Sequence, residues 1–402
     1  YITPYTNYYK TSSFVKKLRQ VNAIDKYKKT LYKGESIVIP GCEKPFISQY
    51  KNDVKPKIPH TKGIYLTGST AGRMSFLRKI PYLKAKGINS VVFDAKDITG
   101  IITYYSTVEG VKKYNTHAKR SIDNIRLLIK RLKHHGIYTI GRVSLFHDHL
   151  LRSKNPDYGI HSKRTGKLWN INSKERWCDP TNKWVQDYNI KIALELARYG
   201  VDEIQFDYIR FPTMGNLRDA KFVYDFGYMP KDKVIAHFLK RAYQILSKEN
   251  VNVSIDIFGV VAWGKEVDIL KTGQRISLLA KYCDVISPML YPSHFNNDFD
   301  GFSNPGDNPY YFIYKGCKKV KSLAKRDIIV RPWLQAFPWR VSNYNKKYIL
   351  DQIKASDDSG ALGYLFWNAS NRYRIVVRAL QSIQGLALKR KMSNQNIAHN
   401  EY

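Results

Sequence analysis

The chain has 402 residues, with 67 Lys and Arg against 33 Asp and Glu, a formal net charge of +34. Hydrophobic residues make up 43% and charged residues 25%, the balance of a folded globular protein, which excludes extended disorder, collagen-like repeats and coiled coils. No apolar run reaches the length of about 18 residues that a membrane span needs, so no transmembrane segment is expected.

Residue 1 is Tyr rather than Met, which predicts a removed leading segment. A cleaved secretory signal is the simplest such segment, and it makes the protein an exported one, periplasmic, envelope-bound or extracellular. Residues 1–50 read as a small α/β segment. Phe14, Val15, Leu18 and Val21 have helical spacing, and the run from Leu31 predicts a turn at Gly34 and a short strand stopped by Pro40. Residues 51–62, with Pro56 and Pro59 among charged residues, read as a linker.

From Gly63 onward short apolar runs alternate with helical segments. Strands are predicted at 63–68, 90–97, 138–146, 203–209, 252–259, 284–291, 328–337 and 361–368. Helices are predicted at 121–135, 185–199, 233–249, 274–282 and 345–357, several ending at Gly. Such alternation means βαβ units and parallel pairing, and the fold class is α/β: a (β/α)8 TIM barrel over 63–388, with a polar flexible tail at 389–402. The turn after the first strand, Thr67-Gly68-Ser69-Thr70-Ala71-Gly72, lacks the glycine spacing of a phosphate loop. The longest connection, 147–184, carries Tyr158, Trp169, Trp177 and Trp184 and reads as a functional loop.

In a barrel the active site lies at the carboxyl ends of the strands, and alternate residues point inward. Asp94 with Lys96, Arg142 with Ser144, Gln205 with Asp207, Ser254 with Asp256, Ser287 with Met289 and Tyr291, and Arg331 with Trp333 and Gln335 then share the polar face of six strands. Asp207 and Asp256, on adjacent strands, form a carboxylate pair suited to a glycosidic bond, since mutual repulsion separates the acid from the base. Asp94, Lys96, Arg142, Arg210, Tyr291 and Gln335 are candidates to bind or position substrate. Trp177, Trp333 and Trp367, with Trp169 and Trp339, offer flat faces for sugar rings, against a core-packing alternative for each.

His147-Asp148-His149 has the look of a metal cluster, but no third ligand is evident and no metal or other cofactor is expected. The two histidines are read as substrate-positioning or loop residues. Cys42, Cys178, Cys283 and Cys317 are too scattered for a disulfide framework or a metal knuckle. The lysines are dispersed rather than blocked, so the charge reads as solvated faces and no nucleic-acid partner is expected.

Several segments resemble a bacterial family of glycoside-hydrolase-like proteins described by a domain of unknown function. The segments are Gly63-Ile64-Tyr65-Leu66-Thr67, Val91-Val92-Phe93-Asp94-Ala95-Lys96-Asp97, Trp177-Cys178-Asp179-Pro180-Thr181-Asn182 and Ser254-Ile255-Asp256-Ile257-Phe258-Gly259. Ile286-Ser287-Pro288-Met289-Leu290-Tyr291-Pro292 and Gly363-Tyr364-Leu365-Phe366-Trp367-Asn368 match as well. The most specific run is Phe206-Asp207-Tyr208-Ile209-Arg210-Phe211-Pro212. The resemblance implies a barrel distantly similar to the α-amylase superfamily, whose nucleophilic Asp ends strand four and whose acid/base carboxylate ends strand five. Asp207 and Asp256 occupy those places. Strand five carries Asp in place of Glu, strand seven has Gln335 in place of Asp, and Arg210 follows the strand-four Asp. Residues 13–40 resemble the latter part of a LysM module, a binder of N-acetylglucosamine polymers, through Asn22 and the ending Leu31…Gly34…Ile37…Ile39-Pro40.

The expected function is hydrolysis of a polysaccharide or of peptidoglycan by two carboxylates. The rival expectation is a non-catalytic glycan-binding protein on the same scaffold.

Overall fold

The computed structural model describes residues 6–25, 27–28, 30–32, 34–42, 51–170, 177–224 and 229–385. The expected tail at 389–402 lies outside them. Eight parallel strands close into a barrel: β1 (Thr61–Leu66), β2 (Ser90–Lys96), β3 (Tyr138–Ser144), β4 (Glu203–Asp207), β5 (Asn252–Phe258), β6 (Val285–Met289), β7 and β8 (Gly363–Trp367). β7 comes in two pieces, Ile329–Val330 and Trp333–Gln335, separated by Arg331 and Pro332. Its first piece pairs with β6 and its second with β8, and the pair Trp333↔Met289 completes the ring. All eight expected strands are present, within a few residues of their expected bounds.

The helices form the outer jacket, and their local logic is plain. Helix Ile125–His134 starts where the Asn124 side chain accepts the Leu127 N–H, and buries Ile125, Leu128, Ile129 and Leu132, one face of a helix. It stops before Gly136, whose φ of +64° is left-handed. Helix Lys183–Arg198 starts in the same way from Asn182. Several helices lie outside the expected ranges, among them two long ones, Met74–Ala85 and Pro309–Ala324. The first carries Pro81 in its interior and the second Gly316, both ordinarily helix breakers. A Cβ on Gly316 would stand 2.5 Å from Leu290, so the bare backbone there permits close packing of helix on strand.

Strand parity divides the core in two. Outward residues such as Ile204, Phe206, Val253 and Ile255 pack under the helices. Tyr65, Val92, Tyr138, Ile140, Tyr291, Trp333 and Leu365 fill the barrel interior. At the amino end of the barrel the interior is polar: Arg331 and Glu203, both 0% exposed, form an ion pair, and Tyr138 and Ser254 also donate to Glu203. Arg331, expected at the catalytic rim, therefore belongs to this opposite layer, because β7 breaks directly after it.

The segment expected as a linker straps that same end. The Asn52 amide donates to Val201 O and Asn250 O, Asn252 donates to Pro56 O, and Lys55 pairs with Asp284 at 2.7 Å. In the N-terminal segment helix Thr11–Val21 forms as expected. No strand follows it among the described residues. The Asn22 amide instead brackets Val38, accepting its N–H at 2.6 Å and donating to its carbonyl at 2.8 Å, and only the end of the segment pairs through the backbone, in an isolated antiparallel bridge between Thr6 and Cys42.

Candidate active site

Phe206 of β4 is in register with Ile255 of β5. Asp207 and Asp256 follow them on the inward face of adjacent strands, about 4.8 Å apart at the backbone. Asp207 Oδ2 accepts two N–H groups of Arg142, from Nε at 3.0 Å and Nη2 at 2.5 Å, and its Oδ1 accepts the Tyr208 N–H at 2.5 Å. That last bond needs a sharp turn of the chain, and Tyr208 makes it at φ +52°, the left-handed region. A non-glycine residue held there costs on the order of 1–3 kcal/mol, and such strain concentrates at functional sites.

Arg142 reaches across to β2, its Nη1 donating to Asp94 Oδ1 at 2.5 Å, while the Tyr65 hydroxyl donates to Asp94 Oδ2 at 2.5 Å. The guanidinium lies 5.3 Å from the Trp367 ring and 5.7 Å from Tyr65, and the two rings stack at 3.9 Å. Burial opposes its charge, but Asp207 and Asp94 prevail and raise its pKa. Burial raises Asp94's pKa, in spite of Arg142.

Asp256 is 1% exposed and is flanked by Asp207 and by Trp333, whose indole donates to its Oδ1 at 2.7 Å. Burial first, and the neighbouring Asp207 charge second, push its pKa well above the ordinary carboxylate range; Arg142 and the indole bond offset this only in part. One carboxylate thus faces a guanidinium while the other is held to its proton by burial and by its neighbour's charge, the division of labour that acid–base chemistry needs.

A cavity of about 250 Å³ opens over Arg142 and Asp207; Asp256 does not line it, but sits buried against the Trp333 indole, which does. Arg142 and Asp207 form its polar side, with Phe258, Val260, Met289, Phe295, Trp333 and Trp367 as walls. Tyr208, Arg210, Tyr291, His294 and Ile98 complete it. A Cβ on Gly259 would stand 2.4 Å from Met289 O, so only glycine lets β5 turn out beside β6 at this point.

Of the residues singled out from the sequence, Arg142, Asp207, Arg210, Tyr291, Trp333 and Trp367 line the cavity. Asp94 acts through Arg142. Trp177, 1% exposed, packs against the Arg210 guanidinium at 4.9 Å and against the His147 ring at 5.1 Å. His147 Nδ1 bonds Ile98 O at 2.7 Å and so ties two loops at the mouth. His149 is the first residue of helix His149–Lys154, which Asp148 caps, and does not line the cavity. Trp169 is loop core, donating to Asn216 O; Trp339 is 53% exposed and lies 5.2 Å from His294. Among the described residues no group of three His, Cys, Asp or Glu side chains converges to hold a metal ion.

Lys96 and Gln335, like His149, fall outside the cavity. Lys96 does not share the face of Asp94, because the register slips between them: Asp94 pairs with Arg142, and Lys96 with Val143. This bulge turns Lys96 outward to Asp148 at 2.7 Å, the Leu145 carbonyl and Asn189. Gln335 faces the connecting loops, accepting from Ser293 N and donating to Phe337 O and Trp339 O. The sequence reading also passed over Tyr65, Tyr208, Phe258 and Phe295. Tyr65 was legible by parity with Gly63 and Thr67, and Phe258 by parity with Ser254 and Asp256; Tyr208 and Phe295 lie beyond strand ends, where alternation no longer applies.

A closed (β/α)8 barrel with two acidic side chains at the carboxyl ends of strands four and five, under an aromatic cavity, has the architecture of a glycoside hydrolase. The chain belongs to the family described as "Putative glycosyl hydrolase domain", whose model matches residues 63–373. Among solved structures, a hypothetical protein from Ruminiclostridium thermocellum is 34% identical, over 48% of this chain and 96% of that one, with a TM-score of 0.43. The PgaB (BpsB) glycoside hydrolase domain from Bordetella bronchiseptica is 14% identical over 80% of this chain and 98% of that one, with a TM-score of 0.59. A β-galactosidase from Marinomonas ef1 is 10% identical over 81% and 60%, at 0.55. The last two bear on the fold alone, and the fold they share is the barrel. Comparison with curated proteins gives no match.

Proposed function

We propose that the protein hydrolyses glycosidic bonds of a polysaccharide, with Asp256 as general acid and Asp207 as the carboxylate that attacks the anomeric carbon. The observation that carries this reading is the asymmetry of the pair: Asp207 bonded by Arg142, and Asp256 buried, its pKa raised by Asp207 itself. Neighbouring positions on adjacent strands support a short carboxyl separation, near the roughly 5–5.5 Å of retaining enzymes. In this scheme Asp256 protonates the leaving oxygen, Asp207 forms the glycosyl-enzyme ester, and Asp256, now anionic, takes a proton from the water that releases the sugar. Arg142 holds Asp207 in place throughout, and Asp94 with Tyr65 holds Arg142.

The substrate we favour is cell-wall glycan such as peptidoglycan, met outside the cytoplasm. The N-terminal resemblance to a binder of N-acetylglucosamine polymers supports this. The test is release of soluble reducing fragments from purified peptidoglycan by the wild-type chain and by Asp207→Asn. Wild-type release, lost by about 10³-fold or more in the variant at unchanged melting temperature, is the expected result. Binding of the glycan without any fragments would favour the non-catalytic alternative.

A further inference from the structure

Far from the carboxylates, on the flank of the barrel, lies a second concavity of about 700 Å³ between helix Met74–Ala85 and the helical residues 374–385. Ser75, Lys79 and Tyr82 project from the first helix at i, i+4 and i+7; Arg374, Val377, Arg378 and Gln381 project from the second at i, i+3, i+4 and i+7. Two helix faces therefore look at one another across a groove floored by Leu66, Phe76 and Val377, and Arg73 stands at its end.

Its charge is one-sided. Arg73, Lys79, Arg374 and Arg378 are all exposed, and none has a hydrogen-bond or ion-pair partner for its side chain among the described residues. No Asp or Glu lines the groove. Two other flank cavities are different: one contains Glu109 and Glu195, the second Asp53 and Asp202, beside their cations. A chain rich in lysine would scatter cations over convex faces, whereas here four converge on one concave surface without a countercharge. Desolvating like charges together is unfavourable until an anion is present.

We propose that this groove binds a linear polyol phosphate, a chain of phosphodiester-linked polyols such as an anionic cell-wall polymer. Guanidinium groups present forked donors that match phosphate oxygens, and three of the four cations are arginines. Successive phosphates would meet the arginines and the lysine in turn, with the polyol links against the apolar floor. A single-stranded nucleic acid carries the same phosphates but needs stacking platforms for its bases, and Tyr82 is the one exposed aromatic ring lining the groove. The site would anchor the barrel to its surroundings and is separate from the carboxylate chemistry.

The test is calorimetric binding of synthetic poly(glycerol phosphate) to the full chain between about 50 and 200 mM salt. The variants are R73Q/K79Q and R374Q/R378Q, with K281Q/K318Q, on the flank of β6, as a control. Each groove pair should weaken binding by about tenfold or more and flatten the slope of log affinity against log salt by about 1.4, two contacts at roughly 0.7 each. The control pair should change affinity by less than about twofold, the scatter expected for charges that touch no phosphate. Absence of wild-type binding, equal losses in the control, or tighter binding of oligodeoxythymidine than of poly(glycerol phosphate) would each overturn the proposal. Hydrolysis of glycan is read separately, so failure here leaves the catalytic reading standing, and the reverse.

Discussion

Asp256 titrates late because it is buried beside a carboxylate and has one strong donor, the Trp333 indole. Removing that donor has a definite sign. The indole bond favours the anionic form, so Trp333→Phe should raise the pKa of Asp256 further and move the alkaline limb of the pH–rate profile upward. The profile of kcat/KM against pH checks this. The same shift bears on stability: a carboxyl whose folded pKa exceeds its unfolded value stabilises the fold at low pH, and this contribution is lost as pH rises through the folded pKa. Asp256→Asn should therefore melt higher than the wild type in alkaline buffer, equally in acid, and turn over about 10²–10⁴-fold more slowly. At this scale the site was largely legible: Asp94, Arg142, Asp207 and Asp256 each occupy an alternate position near a strand end. What escaped was the second carboxyl's dependence on Trp333, since no spacing rule joins residues 77 positions apart.

A strand's pattern holds only while its register holds. The bulge after Asp94 moves Lys96 from the barrel's interior to the buried layer beneath helix Lys183–Arg198, where it faces Asp148. Both side chains are fully buried, and Asp148 Oδ1 caps the next helix through Leu151. Lys96→Met would leave that carboxylate without its cation, and the expected loss is about 3–5 kcal/mol in denaturant unfolding. A role for Lys96 at the substrate would instead show as lost turnover in a chain of normal stability. The same limit explains two of the helices that the sequence reading lacks. Pro81 and Gly316 oppose helix locally, and packing of Met74–Ala85 and Pro309–Ala324 onto the barrel overrides them. Bulges and tertiary override leave no mark in local periodicity, whereas the strand–helix alternation that defines the barrel does.

On the scale of the whole molecule, the two ends of the barrel are built differently. The carboxyl end holds the cavity, and the amino end is sealed by the Glu203–Arg331 pair and strapped by residues 51–60. The seal joins β4 to the break in β7, with Tyr138 of β3 and Ser254 of β5 bonded to the same carboxylate. Arg331→Met should cost about 3–5 kcal/mol by stranding Glu203, and adding Glu203→Gln should recover part of it, because the pair's own net contribution is small once both charges are gone. Comparison of the single and double variants by chemical denaturation decides this.

The break in β7 has a consequence of its own. Seven staves of the barrel are continuous, and the eighth changes neighbours midway at a proline that has no N–H to give. The ring is closed at that seam by the stretch that carries Trp333. Thermal breathing of the barrel is cheapest where the ladder is shortest, so Asp256 loses its indole before the remaining staves part.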